Sequence, residues 1–195
     1  GGYLPDAKVY AQEAEFWGGD LQSLRTRISY IHDLGVDVLY LNPVQLAYTN
    51  HKYDSQDYFK VSPEYGTRDD VKAVATDLHS QGMKLVMDGV FNHMGRTSPH
   101  FQDALTNPNS EYRDWYYVDP KFKHGYRAWV DILNLPEVRL ESDIVQKRIF
   151  RDEDSVVQGY LRDGVDGWRL DVAFDIGYNI LGELTKSAHA AKPGP

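Results

Sequence analysis

Three short runs hold side chains with catalytic chemistry. Gly167-Trp168-Arg169-Leu170-Asp171-Val172 sets an arginine and a carboxylate two residues apart. In an extended strand side chains alternate faces, so Gly167, Arg169 and Asp171 share one face and Trp168 and Leu170 the other. The guanidinium favours the ionised acid, and the expectation is an Asp171 pKa below the ordinary value. A carboxylate held charged suits a nucleophile or an electrostatic stabiliser and makes a poor general acid. Asp88-Gly89-Val90-Phe91-Asn92-His93 puts a second carboxylate where a strand becomes a loop, with an amide and an imidazole in the turn. His51-Lys52-Tyr53-Asp54 adds an imidazole, a flat half-polar ring and a third carboxylate. An isolated Arg-x-Asp is more often a buried ion pair that fixes a strand, and a lone histidine is as often structural as functional. Their joint placement tips the reading towards chemistry.

That placement follows from the elements around them. Leu21, Leu24, Ile28, Ile31 and Leu34 recur at three- and four-residue steps between Asp20 and Gly35, predicting an amphipathic helix with an Asp N-cap and a Gly C-cap. Val36 to Leu41 is a nearly continuous apolar run stopped by Asn42-Pro43, which reads as a strand buried on both faces. A second helix fits Arg68 to Ser80, and Lys84 to Phe91 is the second strand. Residues 92–141 have no helical period and many turn formers and aromatics, as a long loop or small subdomain would. A third helix is expected over Ser142 to Arg162, a third strand over Val165 to Val172, and a fourth helix over Ile176 to Ala190. Strands separated by crossover helices build a parallel sheet, whose ligands meet the carboxyl ends of the strands. All three runs lie at that end. Periodicity does not separate an open doubly wound sheet from a (β/α)₈ barrel, but a full barrel needs about 250 residues and eight strands.

Composition narrows the partners. The 195 residues carry 29 acidic and 21 basic side chains, a formal charge of -8, which disfavours nucleic acid because phosphate binding needs a basic face. With no cysteine there is no disulfide, thiol nucleophile or thiolate metal site. A mean hydropathy of -0.54 without a long apolar run excludes a membrane helix. No G-x-G-x-x-G, P-loop, H-E-x-x-H or G-x-S-x-G pattern is present, so no organic cofactor, zinc site or serine nucleophile is expected. The 14 tyrosines suit sugar faces, although core packing is the commoner reason for a tyrosine. The compartment is left open, and a start at Gly1-Gly2-Tyr3 without Met suits a segment of a longer polypeptide.

In order along the chain, these motifs resemble the α-amylase family of retaining glycosidases (glycoside hydrolase family 13). Asp88 to His93 is similar to its first signature region and Gly167 to Val172 to its second. Leu135-Pro136-Glu137-Val138 resembles the short extra region of its domain B. Phe16-Trp-Gly-Gly-Asp-Leu21 and His51-Lys-Tyr-Asp54 point to the neopullulanase, cyclomaltodextrinase and maltogenic amylase branch, although Glu137 stands where that branch usually has Lys. Ala173 and Phe174 also replace residues that other amylases use for substrate or calcium.

The resemblance implies an α/β fold, a partial (β/α)₈ TIM barrel of about three parallel strands. It divides into barrel segments at 1–91 and 142–195 with a domain-B-like excursion at 92–141. It implies Asp171 as nucleophile supported by Arg169, with Tyr53 stacking on the sugar and His93, Asp88 and His51 contacting substrate or ordering the site. Calcium is implied at Gly18 and Asp20, or at Asn92. The partner is an α-glucan, and an oligomeric parent enzyme fits the branch. The general acid, a Glu ending a fifth strand, and a His-Asp pair after a seventh have no counterpart here, so the segment alone is expected to be inert. Two other readings stay open: a non-catalytic relative that binds carbohydrate or serves as a structural subunit, and an unrelated doubly wound enzyme.

Overall fold

The computed structural model describes residues 2–194. Strands β1 (Tyr3–Leu4) and β2 (Val9–Tyr10) pair antiparallel and lead into a 3₁₀ turn over Ala11–Ala14. Helices α1 (Leu21–Arg25) and α2 (Ile28–Asp33) precede strand β3 (Val38–Leu41). An antiparallel pair follows, β4 (Gln45–Ala47) with β5 (Ser55–Val61), then α3 (Arg68–Ser80) and β6 (Lys84–Gly89). After β6 come α4 (Pro99–Thr106), α5 (Asp143–Gln146), α6 (Val156–Arg162), β7 (Gly167–Leu170), α7 (Ala173–Ile176) and α8 (Tyr178–Ala191).

Strands β3, β6 and β7 form a parallel sheet in sequential order. No reversal of strand order occurs among them, which argues against the doubly wound alternative. The two sheet faces differ. Leu85 and Met87 are buried with Val71, Val74, Ala75 and Leu78 of α3 and Val156, Val157 and Tyr160 of α6 in one core. On the other face Val38 and Tyr40 are 48% and 40% exposed. The expectation that β3 is covered on both faces is therefore wrong. An apolar run reports the preference of its side chains, and the layer that would cover Val38 and Tyr40 is not supplied by the described residues.

Three predicted helices are broken. The 21–34 helix divides at Thr26, whose hydroxyl donates back to the Ser23 carbonyl at 2.7 Å and competes with the backbone ladder. The 142–162 helix becomes α5, a π-helical turn over Lys147–Arg151, and α6. Ser155 restarts the chain as an N-cap, and Gln158 Nε2 donates to the Phe150 and Arg151 carbonyls, satisfying the orphaned end. The last helix begins earlier than expected and is interrupted at Gly177, where φ is 84°. Within 92–141 the structure adds α4, with Pro99 at its first turn after Ser98, a start signal that weak periodicity hid.

The 92–141 stretch is tied to the sheet end at its beginning. Gly95 N donates to Ser55 O at 2.7 Å, and a Cβ on Gly95 would sit 2.3 Å from the Asp54 carbonyl oxygen. Only glycine allows that approach. Met94 N donates to Pro136 O and Val138 N to Asn92 O, so the Leu135-to-Val138 run lies antiparallel along the His93 segment.

Candidate active site

Parallel register sets the centre of the site. Asp88 pairs with Arg169 across β6 and β7, at the carboxyl ends of both strands. Arg169 Nη1 lies 3.0 Å from both Asp88 oxygens and 2.8 Å from Asp171 Oδ1. One guanidinium nitrogen thus bridges two carboxylates. Asp171 is fixed further by its own N–H, which donates to Gly89 O at 3.0 Å and continues the parallel ladder one step past β7. The next residue, Val172, has φ 42° and ψ 45°, a strained conformation for a β-branched residue that turns the chain sharply into α7.

The Asp88 side chain is fully buried, whereas that of Arg169 is 46% exposed and that of Asp171 15%. Tyr53 donates its hydroxyl to Asp88 Oδ2 at 3.0 Å, and Tyr40 donates to the same oxygen. Burial and then the Asp88 carboxylate push the Tyr40 hydroxyl pKa up, and the same two causes raise that of Tyr53. Both hydroxyls therefore stay protonated and act as donors. For Asp171 the expected direction is reversed. Partial burial and the neighbouring Asp88 charge outweigh the opposing pull of Arg169, and its pKa lies above the ordinary carboxylate value. Parity located the arginine correctly but carried no information on desolvation.

His93 is 1% exposed. Its Nδ1 lies 3.2 Å from Asn92 Nδ2, its carbonyl accepts from Tyr58 at 2.7 Å, and its Nε2 is buried without a partner. Burial pushes the imidazole down to about 4, so the ring is neutral at ordinary pH. Trp129 stacks on this ring at 5.6 Å between centroids, and its indole N–H donates to Asp175 Oδ2 at 3.0 Å. Trp129 therefore joins the 92–141 stretch to the turn after Asp171. On the other side His51 stacks on Tyr53 at 5.9 Å and its Nε2 lies 3.3 Å from Glu13 Oε1.

The turn carrying Tyr53 has its own supports. Lys52, buried and at φ 66°, pairs with Glu64 and lies 4.5 Å from the centre of the Phe16 ring. Asp54 is buried and accepts from Thr49 and from Asn134 Nδ2. Glu137 pairs with Arg127, whose guanidinium lies 3.5 Å over the Tyr117 ring.

The structure thus brings Asp88, Arg169, Asp171 and Tyr53 into one connected cluster, with His51 stacked on Tyr53. The sequence reading missed Tyr40, although strand parity places it on the Asp88 face, and missed Asp175 altogether. Gly18 (φ 109°) and Asp20 stand apart in role: Asp20 Oδ1 caps α1 by accepting from Ser23 N at 2.8 Å. Among the described residues no group of three or more His, Cys, Asp or Glu side chains comes together to hold a metal.

The catalytic-domain family described as Alpha amylase matches residues 6–190. The chain belongs to the α-amylase family. It is 33% identical over 183 residues to the intracellular maltogenic amylase of Bacillus subtilis, an alignment covering 92% of this chain and 30% of that protein. A cyclomaltodextrinase from a Bacillus species is 32% identical over 200 residues, covering 98% and 35%. The ligand-free structure of cyclic α-maltosyl-(1→6)-maltose hydrolase from Arthrobacter globiformis superposes with a TM-score of 0.85 at 30% identity, over 93% of this chain and 42% of that one. The branch expected from the motifs is thereby supported, and the sheet is an arc of the (β/α)₈ architecture of these enzymes. This α-amylase-family chain spans about a third of the length of the two curated relatives.

Proposed function

We propose that the chain supplies the nucleophile half of a retaining α-glucan hydrolase or transglycosidase acting on α-1,4 or α-1,6 glucosidic bonds. The observation that carries the reading is the single Arg169 nitrogen bridging Asp88 and Asp171 at the strand ends. Asp171 attacks the anomeric carbon through a carboxylate oxygen, forming a glycosyl ester as the bond to the leaving oxygen breaks. Water or an acceptor hydroxyl then displaces the ester, with two inversions and net retention. A carboxylic acid from outside this chain protonates the leaving oxygen and recovers the proton in the second half-reaction. The raised Asp171 pKa places the acid limb of activity above that of an unperturbed carboxylate.

Tyr53 offers its ring to the sugar while its hydroxyl anchors on Asp88. Neutral His93 is the proposed partner of a sugar hydroxyl, and Trp129 stacks on its ring. Presence of Asp171 together with its arginine favours catalysis over a purely binding or structural subunit. Calcium needs six to eight oxygens. Gly18 and Asp20 are one proposed place for it and Asn92 is a separate alternative, and among the described residues neither gathers three acidic or imidazole side chains. The test is product stereochemistry in the full-length protein. Proton NMR of freshly cleaved maltooligosaccharide should show the α-anomer first, and initial β-anomer would overturn the mechanism.

A further inference from the structure

Between His51 and Tyr53 stands a charge that the proposed chemistry does not use. The Lys52 side chain has no exposed surface, and its backbone φ is 66°, in the range that favours glycine and that a residue with a Cβ adopts at a cost. That conformation folds the turn back on itself. Tyr53 N–H donates to His51 Nδ1 at 3.1 Å, and the two rings lie 25° from parallel with 5.9 Å between centroids. With Nδ1 accepting, the His51 proton is on Nε2, which faces Glu13 Oε1 at 3.3 Å. The same turn brings the Tyr53 hydroxyl to Asp88. Its shape therefore sets where the ring stands.

The Lys52 side chain holds that shape. Its Nζ pairs with Glu64, donates to Ala47 O at 3.4 Å, and lies 4.5 and 5.5 Å from the centres of the Phe16 and Tyr65 rings. These partners belong to the loop before α1, the end of β4 and the turn between β5 and α3, so one ammonium group gathers three separate segments. Tyr65 also reaches the turn itself, donating its hydroxyl to Asn50 O at 3.4 Å. An apolar residue of the same length would fill this place with little loss of stability, because desolvation offsets most of what a buried ion pair contributes. What the pair supplies instead is a single geometry. We propose that Lys52 is a positioning residue: its clasp with Glu64 locks the turn, presenting the Tyr53 ring to the glucan and the Tyr53 hydroxyl to Asp88. This rests on the α-glucan reading above and adds to it a residue that acts only through Tyr53.

A double-mutant cycle in the full-length protein separates positioning from mere support. Lys52→Met keeps the length of the side chain and removes its charge, and Glu64, with 31% of its side chain exposed, is not stranded by the loss. With rates referred to the concentration of folded protein, kcat/KM for maltoheptaose should fall about tenfold in Lys52→Met, less than the roughly 10²-fold of a 1 Å misplacement. Made in the Tyr53→Ala background, where the ring it positions is already gone, the same substitution should cost less than about twofold. Glu64→Gln should repeat the pattern more weakly, and it decides alone where Lys52→Met does not fold. Equal falls in the two backgrounds, or no fall in the presence of Tyr53, overturn the positioning role and leave the α-glucan reading intact. Failure of the wild-type protein to hydrolyse maltoheptaose overturns that reading and the positioning role with it.

Discussion

The strand-end cluster and the 92–141 stretch above it are held by different means. Asp88 and Arg169 sit on neighbouring strands whose parallel register runs through four residue pairs, so their separation is set by the backbone. Residues 92–141 have no extended ladder. They close through isolated bridges, such as Tyr116 with Val138 and Ala128 with Pro136, and through ring packing of Phe101 on Tyr116 and Tyr126 at 5.0 and 4.7 Å. The charges that would do the chemistry stand on the regular part, where small displacements are costly. The groups that would shape the ligand, His93 and Trp129, come from the irregular part or its base. Precision on strands and adaptability in loops is the division expected of a functional site.

The largest effect should come from the regular part. In the full-length protein Arg169→Met leaves Asp88 and Asp171 without the cation between them. Loss of a group that holds and stabilises the nucleophile's charge acts on the transition state, so kcat/KM for maltooligosaccharides should fall about 10²–10³-fold, mainly in kcat. Tyr53→Ala should come next. It removes a stacking contact worth about 1 kcal/mol and loosens Asp88, and misplacement of the reacting ring adds to the loss. Unchanged kinetics in that variant would remove Tyr53 from the substrate site.

A smaller effect is expected in the irregular part. Trp129→Phe keeps a ring over His93 and deletes the N–H bond to Asp175. KM should rise several-fold with kcat nearly constant, the sign of lost uniform binding. A kcat loss as deep as that of Arg169→Met would break the proposed division between the two regions.

The smallest effects concern protons. Deleting the Tyr40 hydroxyl in Tyr40→Phe leaves the Asp88 charge less neutralised, so the Asp171 pKa rises and the acid limb of kcat/KM moves to higher pH. A shift to lower pH would contradict the cluster. His93 titrates near 4 when folded and near 6.5 when unfolded, so the unfolded chain binds more protons between those values. Stability should therefore rise with pH from about 4 to 6.5, and His93→Gln should flatten that rise in denaturant titrations.

Much of this was legible in the sequence for a physical reason. Period-two alternation placed Arg169 and Asp171 on one face, and the turn signals after each strand put all three runs at one end. Tyr40 was equally legible, since it lies on the same face as Val86 and Asp88, but an apolar-looking strand drew no attention to it. The break at Thr26 and the π turn after Gln146 depend on side-chain bonds to the backbone, which periodicity does not encode. The sign of the Asp171 shift depends on burial, which only the assembled fold supplies. Of the seven aromatics between Tyr112 and Trp129, Trp115, Tyr116 and Tyr126 are buried in the stretch's own core, and Trp129 is the one stacked on His93. Composition could not have separated them.

Catalysis at this site requires that Asp171 form the bond to the sugar. The direct measurement is to trap the glycosyl ester in the full-length protein with a fluorinated α-glucosyl fluoride, whose ester hydrolyses slowly, and to map the labelled peptide by mass spectrometry. The label is predicted on Asp171 and absent from the Asp171→Asn variant. A label on Asp88 or Asp175, or full turnover by Asp171→Asn with no label anywhere, would contradict it.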